Sequence, residues 1–195
     1  MQSNVGTRQA LAKAAFDLVA ERGFEGLRTR DVAARVGVNV ATLHYHFATK
    51  DDLVVGVARY LAESYAIHRP AHAPPTGGAV ERLRNEIADA RQLRLEHRPL
   101  QRVSLELRMR SERDPALRAA VDGLASEWRT SIEGILRDGV REGAFRADLD
   151  PAAGASLVLA VLWGAAPLLD VDAGAFDAAC AELERALAAP PAPAP

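Results

Sequence analysis

The sequence predicts an all-α protein, and three observations carry that expectation. Hydrophobic residues make up 49% of the chain but aromatic ones only 5%, a balance suited to Leu, Val and Ala packing between helices rather than to a β-rich core. Apolar residues recur at three- and four-residue steps along most of the chain. Residues that start and stop helices punctuate those runs. At 195 residues the chain exceeds the usual single-domain size of roughly 100 to 150, so one large or two small domains fit.

Taken in order, Thr7 caps a first helix with Leu11, Ala14, Ala15, Leu18 and Val19 on one face, closed by Gly23 in a left-handed position. Thr29 caps a short second helix carrying Val32, Ala33 and Val36 and ended by Gly37, and Asn39 caps a third from Val40 to Phe47. Thr49 with Asp52 three residues on approximates a capping box, opening a long fourth helix from Lys50 towards Ile67. The stretch 69–78, RPAHAPPTGG, reads as a loop. Val80, Leu83, Ile87 and Ala90 mark a fifth helix that stops before Pro99.

The run 103–110, VSLELRMR, alternates with strand period, yet no second strand is available to pair with it, so a helix is preferred. As a helix it puts Val103 and Leu107 on one face and Leu105 and Met109 on nearly the opposite one, as if sandwiched. Asp114-Pro115 and Asp150-Pro151 each pair a capping Asp with Pro at the first helical position. The helix after Pro115 carries Leu117, Val121, Leu124, Trp128, Ile132 and Ile135 and stops near Gly143. The next, over 152–169, spaces Ala152, Ser156, Ala160 and Gly164 by four, a stripe of small residues that admits another helix. The last, over 174–188, aligns Phe176, Cys180, Leu183 and Leu187 on one face, and the 190–195 tail reads as disordered.

Charge is uneven. Residues 1–50 carry a net +3 and the remainder −5, which favours a polyanion partner for the N-terminal part alone, although 22 of the 24 basic residues are arginine. The longest apolar run, Leu157 to Leu169, has 13 residues, short of the roughly 20 that span a bilayer, and the N-terminus has no leader-like apolar core. A soluble, cytoplasmic protein without a membrane partner is expected. The lone Cys180 cannot form an intrachain disulfide.

Two short helices joined by a three-residue turn containing Gly, packed on a longer first helix, form a helix-turn-helix, whose second helix enters the DNA major groove. Val32, Val36, Val38, Leu43 and Phe47 then face the first helix, leaving Arg30, Val40, Ala41, Thr42, His44 and Tyr45 outward. Small residues at the start of such a helix let its backbone near base edges, while Tyr, His and Lys further along reach phosphates. Arg28 and Asn39 flank this set and complete the candidate DNA-binding residues.

Other chemistry finds less support. His44 and His46 point about 200° apart on a helix, and Pro70 breaks the helix that would align His68 with His72, so no metal is expected. No cofactor is implied. No nucleophile elbow, P-loop, HExxH or dinucleotide-binding glycine pattern appears, which counts against an enzyme. Trp128 and Trp163 read first as core and second as pocket wall.

The stretch GLRTRDVAARVGVNVATLHYHFATKDDL resembles the DNA-binding domain of TetR-family transcriptional regulators. Gly23-Phe24, Val32-Ala33, Gly37-Val38, Thr42-Leu43, His46-Phe47, Lys50 and Leu53 all fall at the family's spacing, over about residues 7–55. The resemblance implies a DNA-binding domain over 1–50 and a helical effector-binding and dimerisation domain over 51–189. It implies a homodimer joined by its last two helices, a double-stranded DNA operator and a small-molecule effector. Carried over, Thr29, Tyr45, His46 and Lys50 resemble phosphate contacts, and Arg30, Val40, Ala41, Thr42 and His44 resemble base-facing positions. Position 44 is usually Tyr in the family, so His44 replaces an aromatic contact with a hydrogen bond.

The expected function is a ligand-responsive regulator, a repressor released from a palindromic operator. The alternatives are a regulator without an effector and a helical enzyme or carrier with an accessory DNA-binding module. Candidate pocket residues are Tyr65, Leu105, Met109, Leu124, Trp128 and Trp163. Candidate dimer contacts are Ser156, Ala160, Gly164, Phe176, Cys180, Leu183 and Leu187.

Overall fold

A computed structural model describes residues 4–68, 77–164 and 172–190, and within these it leaves out the side chains of Asn4, His68, Ala116 and Leu124. Residues 69–76 of the stretch expected as a loop, the last five helical positions expected at 165–169 and tail residues 191–195 lie outside the described residues. The helices are α1 (Asn4–Arg22), α2 (Thr29–Val36), α3 (Val40–His46), α4 (Lys50–His68), α5 (Ala79–Glu96), α6 (Arg98–Ser111), α7 (Pro115–Glu142), α8 (Pro151–Gly164) and α9 (Ala173–Leu187), with a 3-10 turn at Phe24–Gly26. Among the described residues there is no strand, only an isolated bridge between Phe145 and Ala188.

The chain divides into two compact units, one of Met1–His68 with Arg98–Leu124, the other of Arg69–His97 with Ala125–Pro195. The first therefore adds α4, α6 and the start of α7 to the 1–50 segment. In it α1 packs on α2, α3, α4 and α6, and α4 also packs on α6. Leu11, Ala15, Leu18, Val19, Val32, Leu43, Phe47, Leu53, Val54 and Val57 are buried there.

Local sequence explains most of these boundaries, with three corrections. First, α1 begins at Asn4, so Thr7 sits inside its first turns rather than capping it; nothing in Asn4-Val5-Gly6 breaks a helix. Second, Gly23 has φ 70 and ψ 176, a positive-φ conformation outside the left-handed helical well that only glycine adopts readily. The chain then makes the 3-10 turn, which buries Phe24. Third, Thr29 is the first residue of α2, and Arg28 holds the cap position in extended conformation without a side-chain bond. The fifth helix does stop before Pro99, at Glu96, and α6 then starts at Arg98 with Pro99 in its first turn, where a missing N–H removes no helical bond.

The helix reading of 103–110 holds, but the sandwich does not. Val103 and Leu107 are buried, and α6 packs on α1 and α4. Leu105 is half-buried and Met109 is 68% exposed. Arg102 and Arg108 share that solvent side, so the alternation marks an amphipathic helix rather than a doubly buried one. α7 opens as expected, with the Leu117 amide donating to Asp114 Oδ1 at 3.1 Å. α8 opens on Asp150, whose Oδ1 accepts from the Ala152 amide at 2.9 Å.

In the second unit α9 packs on α5 and α8. Its core joins Leu83 of α5, Ile132 and Leu136 of α7, Phe145 and Leu149 of the α7–α8 connection, Ala155, Val158 and Leu162 of α8, and Phe176, Cys180, Leu183 and Leu187 of α9. The last four were expected at a dimer interface. Instead they fill the unit's own core, because the large apolar face of α9 turns inward and Ala175, Ala178, Ala181 and Glu182 turn out. Burial pushes the Cys180 thiol up to about 11, with Asp177 and Glu184 adding to it, so the thiol stays protonated at neutral pH.

Two glycines of α7 respond oppositely to an added methyl. A Cβ on Gly139 would stand 2.1 Å from Phe145 Cδ2, a ring that is buried, whereas one on Gly134 would meet nothing within 4 Å. Overpacking costs about 1–3 kcal/mol, against about 1 kcal/mol gained from Ala over Gly in a helix. Gly134→Ala is expected to raise the thermal midpoint and Gly139→Ala to lower it; equal shifts would mean the Phe145 ring moves aside freely.

Candidate nucleic-acid interface

The turn between α2 and α3 is built from backbone requirements. Gly37 adopts φ 76 and ψ 29, the left-handed well, and closes α2 with its amide bonded to the Ala34 carbonyl at 3.1 Å and the Val38 amide to Ala33 at 3.0 Å. Asn39 then caps α3, its Oδ1 accepting from the Thr42 amide at 2.7 Å and the Thr42 hydroxyl at 2.9 Å. Thr42 thus presents its methyl and a hydroxyl whose proton is already used. Burial of Val32, Leu43 and Phe47 sets the rotation of the pair, with Val36 and Val38 half-buried.

That rotation decides what faces solvent. Arg28, Arg30, Asn39, Val40, Ala41, His44, Tyr45 and Lys50 are exposed, Tyr45 at 76%, and Thr29, Thr42 and His46 are half-buried. Among the described residues the Arg30 guanidinium meets the edge of Asp31, Nε to Oδ1 at 3.5 Å, and its side chain is 76% exposed. The α2 helix is pinned to α1 by a bidentate pair, Arg35 Nη1 and Nη2 donating to Glu21 Oε1 and Oε2 at 2.9 Å each. That pair holds the Glu21 carboxyl below its ordinary range.

Lys50 opens α4 beside two carboxylates, and both are engaged. Asp52 Oδ2 accepts from the Thr49 amide at 3.0 Å and its hydroxyl at 2.8 Å, while Thr49 Oγ1 accepts from the Asp52 amide at 3.0 Å, a reciprocal cap. Asp51 Oδ1 accepts from Arg110 Nη2 on α6 at 3.0 Å. The lysine charge at a helix N-terminus is thereby the outward one, as a phosphate contact requires. Sequence spacing gave no sign of Arg110, because its partner is 59 positions away.

The residues singled out for a ligand pocket fall in both units. Tyr65, Leu105 and Met109 belong to the first; the Tyr65 hydroxyl pairs with Ser104, and burial raises its pKa. Leu124's side chain is outside the described residues. In the second unit Trp128 Nε1 donates to Glu86 Oε2 at 2.6 Å, and Glu86 is only 2% exposed. The Trp163 ring meets Trp128 edge-on, with centroids 5.6 Å apart, and remains 38% exposed. Glu86 escaped the sequence reading because a charged residue between apolar ones on α5 reads as solvent-facing. A separate surface cleft of about 200 Å³ is lined by Val80, Leu83, Arg84, Phe145, Glu184 and Arg185.

Among the described residues no three His, Cys, Asp or Glu side chains are grouped to hold a metal, and no helix is long and apolar enough to cross a membrane. His72 lies outside the described residues.

Residues 11–57 match the family described as bacterial regulatory proteins, tetR family, and residues 79–183 match the tetracyclin repressor-like C-terminal domain. The chain is 27% identical over 127 residues to the HTH-type transcriptional regulator CymR of Pseudomonas putida, covering 65% of this chain and 62% of CymR, less than two thirds of that protein. It is 27% identical over 144 residues to the HTH-type transcriptional repressor KstR2 of Mycobacterium tuberculosis, covering 73% of this chain and 71% of KstR2. A transcriptional regulator from Saccharomonospora viridis, solved in complex with choline, superposes with a TM-score of 0.83 over 93% of this chain and 97% of its own, at 24% identity, a likeness of fold. With one family match over the helix-turn-helix and a second over more than half of the chain, this protein belongs to the TetR family of bacterial transcriptional regulators.

Proposed function

We propose that this chain is an effector-responsive transcriptional repressor that binds a palindromic DNA operator as a two-fold dimer, and that it is not an enzyme. The observation that carries the reading is the exposed set on α2, α3 and the start of α4, presented by buried Val32, Leu43 and Phe47. Lys50, Tyr45, Thr29 and His46 serve as phosphate contacts, with Arg28 and Asn39 at the edge of the footprint. Arg30, Val40, Ala41, Thr42 and His44 face the bases. The relative KstR2 is named a repressor, which supports repression over activation.

Dimerisation is assigned to α8 and the outward side of α9. Ser156, Ala160, Leu157 and Trp163 are exposed on α8, Gly164 is half-buried, and Ala178 with Ala181 are exposed on α9. Small residues let two such helices approach to about 8–10 Å. The effector is a small apolar or amphipathic molecule bound in the second unit near Trp128 and Trp163, and the choline bound by the S. viridis neighbour supports a small ligand. Both tryptophans of the chain lie in that patch, so effector binding is expected to change intrinsic fluorescence and to release operator in parallel. Release by a compound that leaves the fluorescence unchanged would move the effector site elsewhere. A purified dimer that selects no two-fold sequence from a random duplex pool would sink the repressor reading itself.

A further inference from the structure

One residue outside the motif positions holds the far end of α3. Arg8, on the second turn of α1, donates from Nη1 to the carbonyl oxygen of His46, the last residue of α3. The same guanidinium lies over the Phe47 ring, 4.3 Å from its centroid. We propose that Arg8 is a positioning residue that fixes the pose of the DNA-reading helix without itself touching DNA, an inference that rests on reading α3 as that helix.

The need for such a residue follows from length. α3 has seven residues, about two turns, whereas isolated helices shorter than about 12–15 residues are marginal in water. Its pose is therefore set by tertiary anchors. Asn39 caps the N-terminus only locally, and buried Leu43 supplies the central anchor. At the C-terminus the Phe47 amide closes only the Leu43 carbonyl, at 2.8 Å, and the last carbonyls of a helix otherwise have no helical partner. Arg8 takes the His46 carbonyl with a charged donor and places a cation at the negative end of the helix, two favourable terms from one side chain.

The stacking partner leaves little slack. Phe47 is buried, and its ring abuts Gly56 of α4 so closely that an added Cβ there would stand 2.6 Å from Cε1. A ring pressed against the α4 backbone cannot retreat, so the guanidinium over it ties α1, α3 and α4 together. Moving α3 requires breaking both the carbonyl bond and the ring contact.

The test uses a duplex selected by the wild-type protein from a random-sequence pool, with a scrambled duplex of the same composition as reference. Arg8 is exposed and its removal deletes no core atoms, so Arg8→Ala is expected to fold with a nearly unchanged thermal midpoint. It is expected to bind the selected duplex at least about tenfold more weakly, to hold the scrambled duplex within about twofold and to keep the salt dependence of wild type. Amide hydrogen exchange at residues 44–47 of the free protein should quicken, and Arg8→Lys, which keeps a donor and a charge, should recover most of both losses. Equal losses on the two duplexes with a salt slope shallower by about 0.9 per chain would make Arg8 a phosphate contact and overturn the proposal. Unchanged exchange at 44–47 overturns it whatever the DNA does. If wild type selects no preferred duplex, the DNA-reading assignment of α3 fails, and the exchange result still decides whether Arg8 holds that helix.

Discussion

Ala160→Arg is expected to yield a folded monomer whose affinity for a two-fold operator falls by at least a hundredfold. Ala160 is exposed on α8, in line with Ser156 one turn earlier and flanked by Leu157, which is 47% exposed. An apolar face of this kind is the sort of surface that a second copy covers. Across the proposed two-fold contact the substitution is made twice, so two long cations would be brought to a surface that small side chains leave open for close approach. α8 itself carries no carboxylate to offset them: its exposed residues around Ala160 are Ala152, Ala153, Ser156 and Leu157. The Ser156 hydroxyl is already engaged, accepting from Arg129 at 3.0 Å and donating to the Ala152 carbonyl at 3.0 Å.

The DNA consequence is larger than the interface alone suggests. A dimer binds its second half-site as an intramolecular event, with an effective concentration of about millimolar, and a monomer forfeits that gain, commonly 10²–10⁴ in overall affinity. Light scattering and operator titration read the two steps separately. A variant that remains dimeric places the interface elsewhere; one that is monomeric yet keeps operator affinity contradicts the two-fold operator.

What the sequence made legible divides by range. The helix-turn-helix is written in adjacent residues: a positive φ at Gly37, a cap at Asn39 that closes on Thr42 and a reciprocal cap between Thr49 and Asp52. Each involves positions no more than five apart, and each appears where the spacing put it. The failures concern direction and distance. Periodicity at Phe176, Cys180, Leu183 and Leu187 correctly gave one apolar face on α9, but whether that face meets its own core or another chain is not encoded in the period. The same limit explains Met109, whose alternation with Leu107 was compatible with burial on both sides. Arg8 with His46, Arg110 with Asp51 and Trp128 with Glu86 are separated by 38 to 59 positions, so no window of local sequence could pair them.

Lys50→Ala and Arg30→Ala are expected to fail in different ways, and the difference separates the clamp from the reader. Lys50 stands at the first position of α4, with Asp51 bound by Arg110 and Asp52 bound by Thr49, so its charge adds to the positive end of the helix. A flexible ammonium there suits a phosphate, which carries no sequence information. Its removal should weaken operator and scrambled duplex alike and reduce the slope of log affinity against log salt by about 0.9 per contact, or about twice that for a dimer. Arg30, on the second residue of α2, has a side chain that is 76% exposed and only loosely met by Asp31, leaving its planar fork free for the O6 and N7 edge of guanine. Arg30→Ala should cost about 1–3 kcal/mol per half-site on the operator, relax preference at one base position and leave the scrambled duplex nearly untouched. Titrations of both variants against both duplexes at several salt concentrations decide between the roles. Equal losses on the two duplexes for Arg30→Ala would make it a second phosphate contact. Sequence reading would then rest on Val40, Ala41, Thr42 and His44, whose short reach, with the Thr42 proton held by Asn39, favours methyl and shape contacts over bidentate pairs.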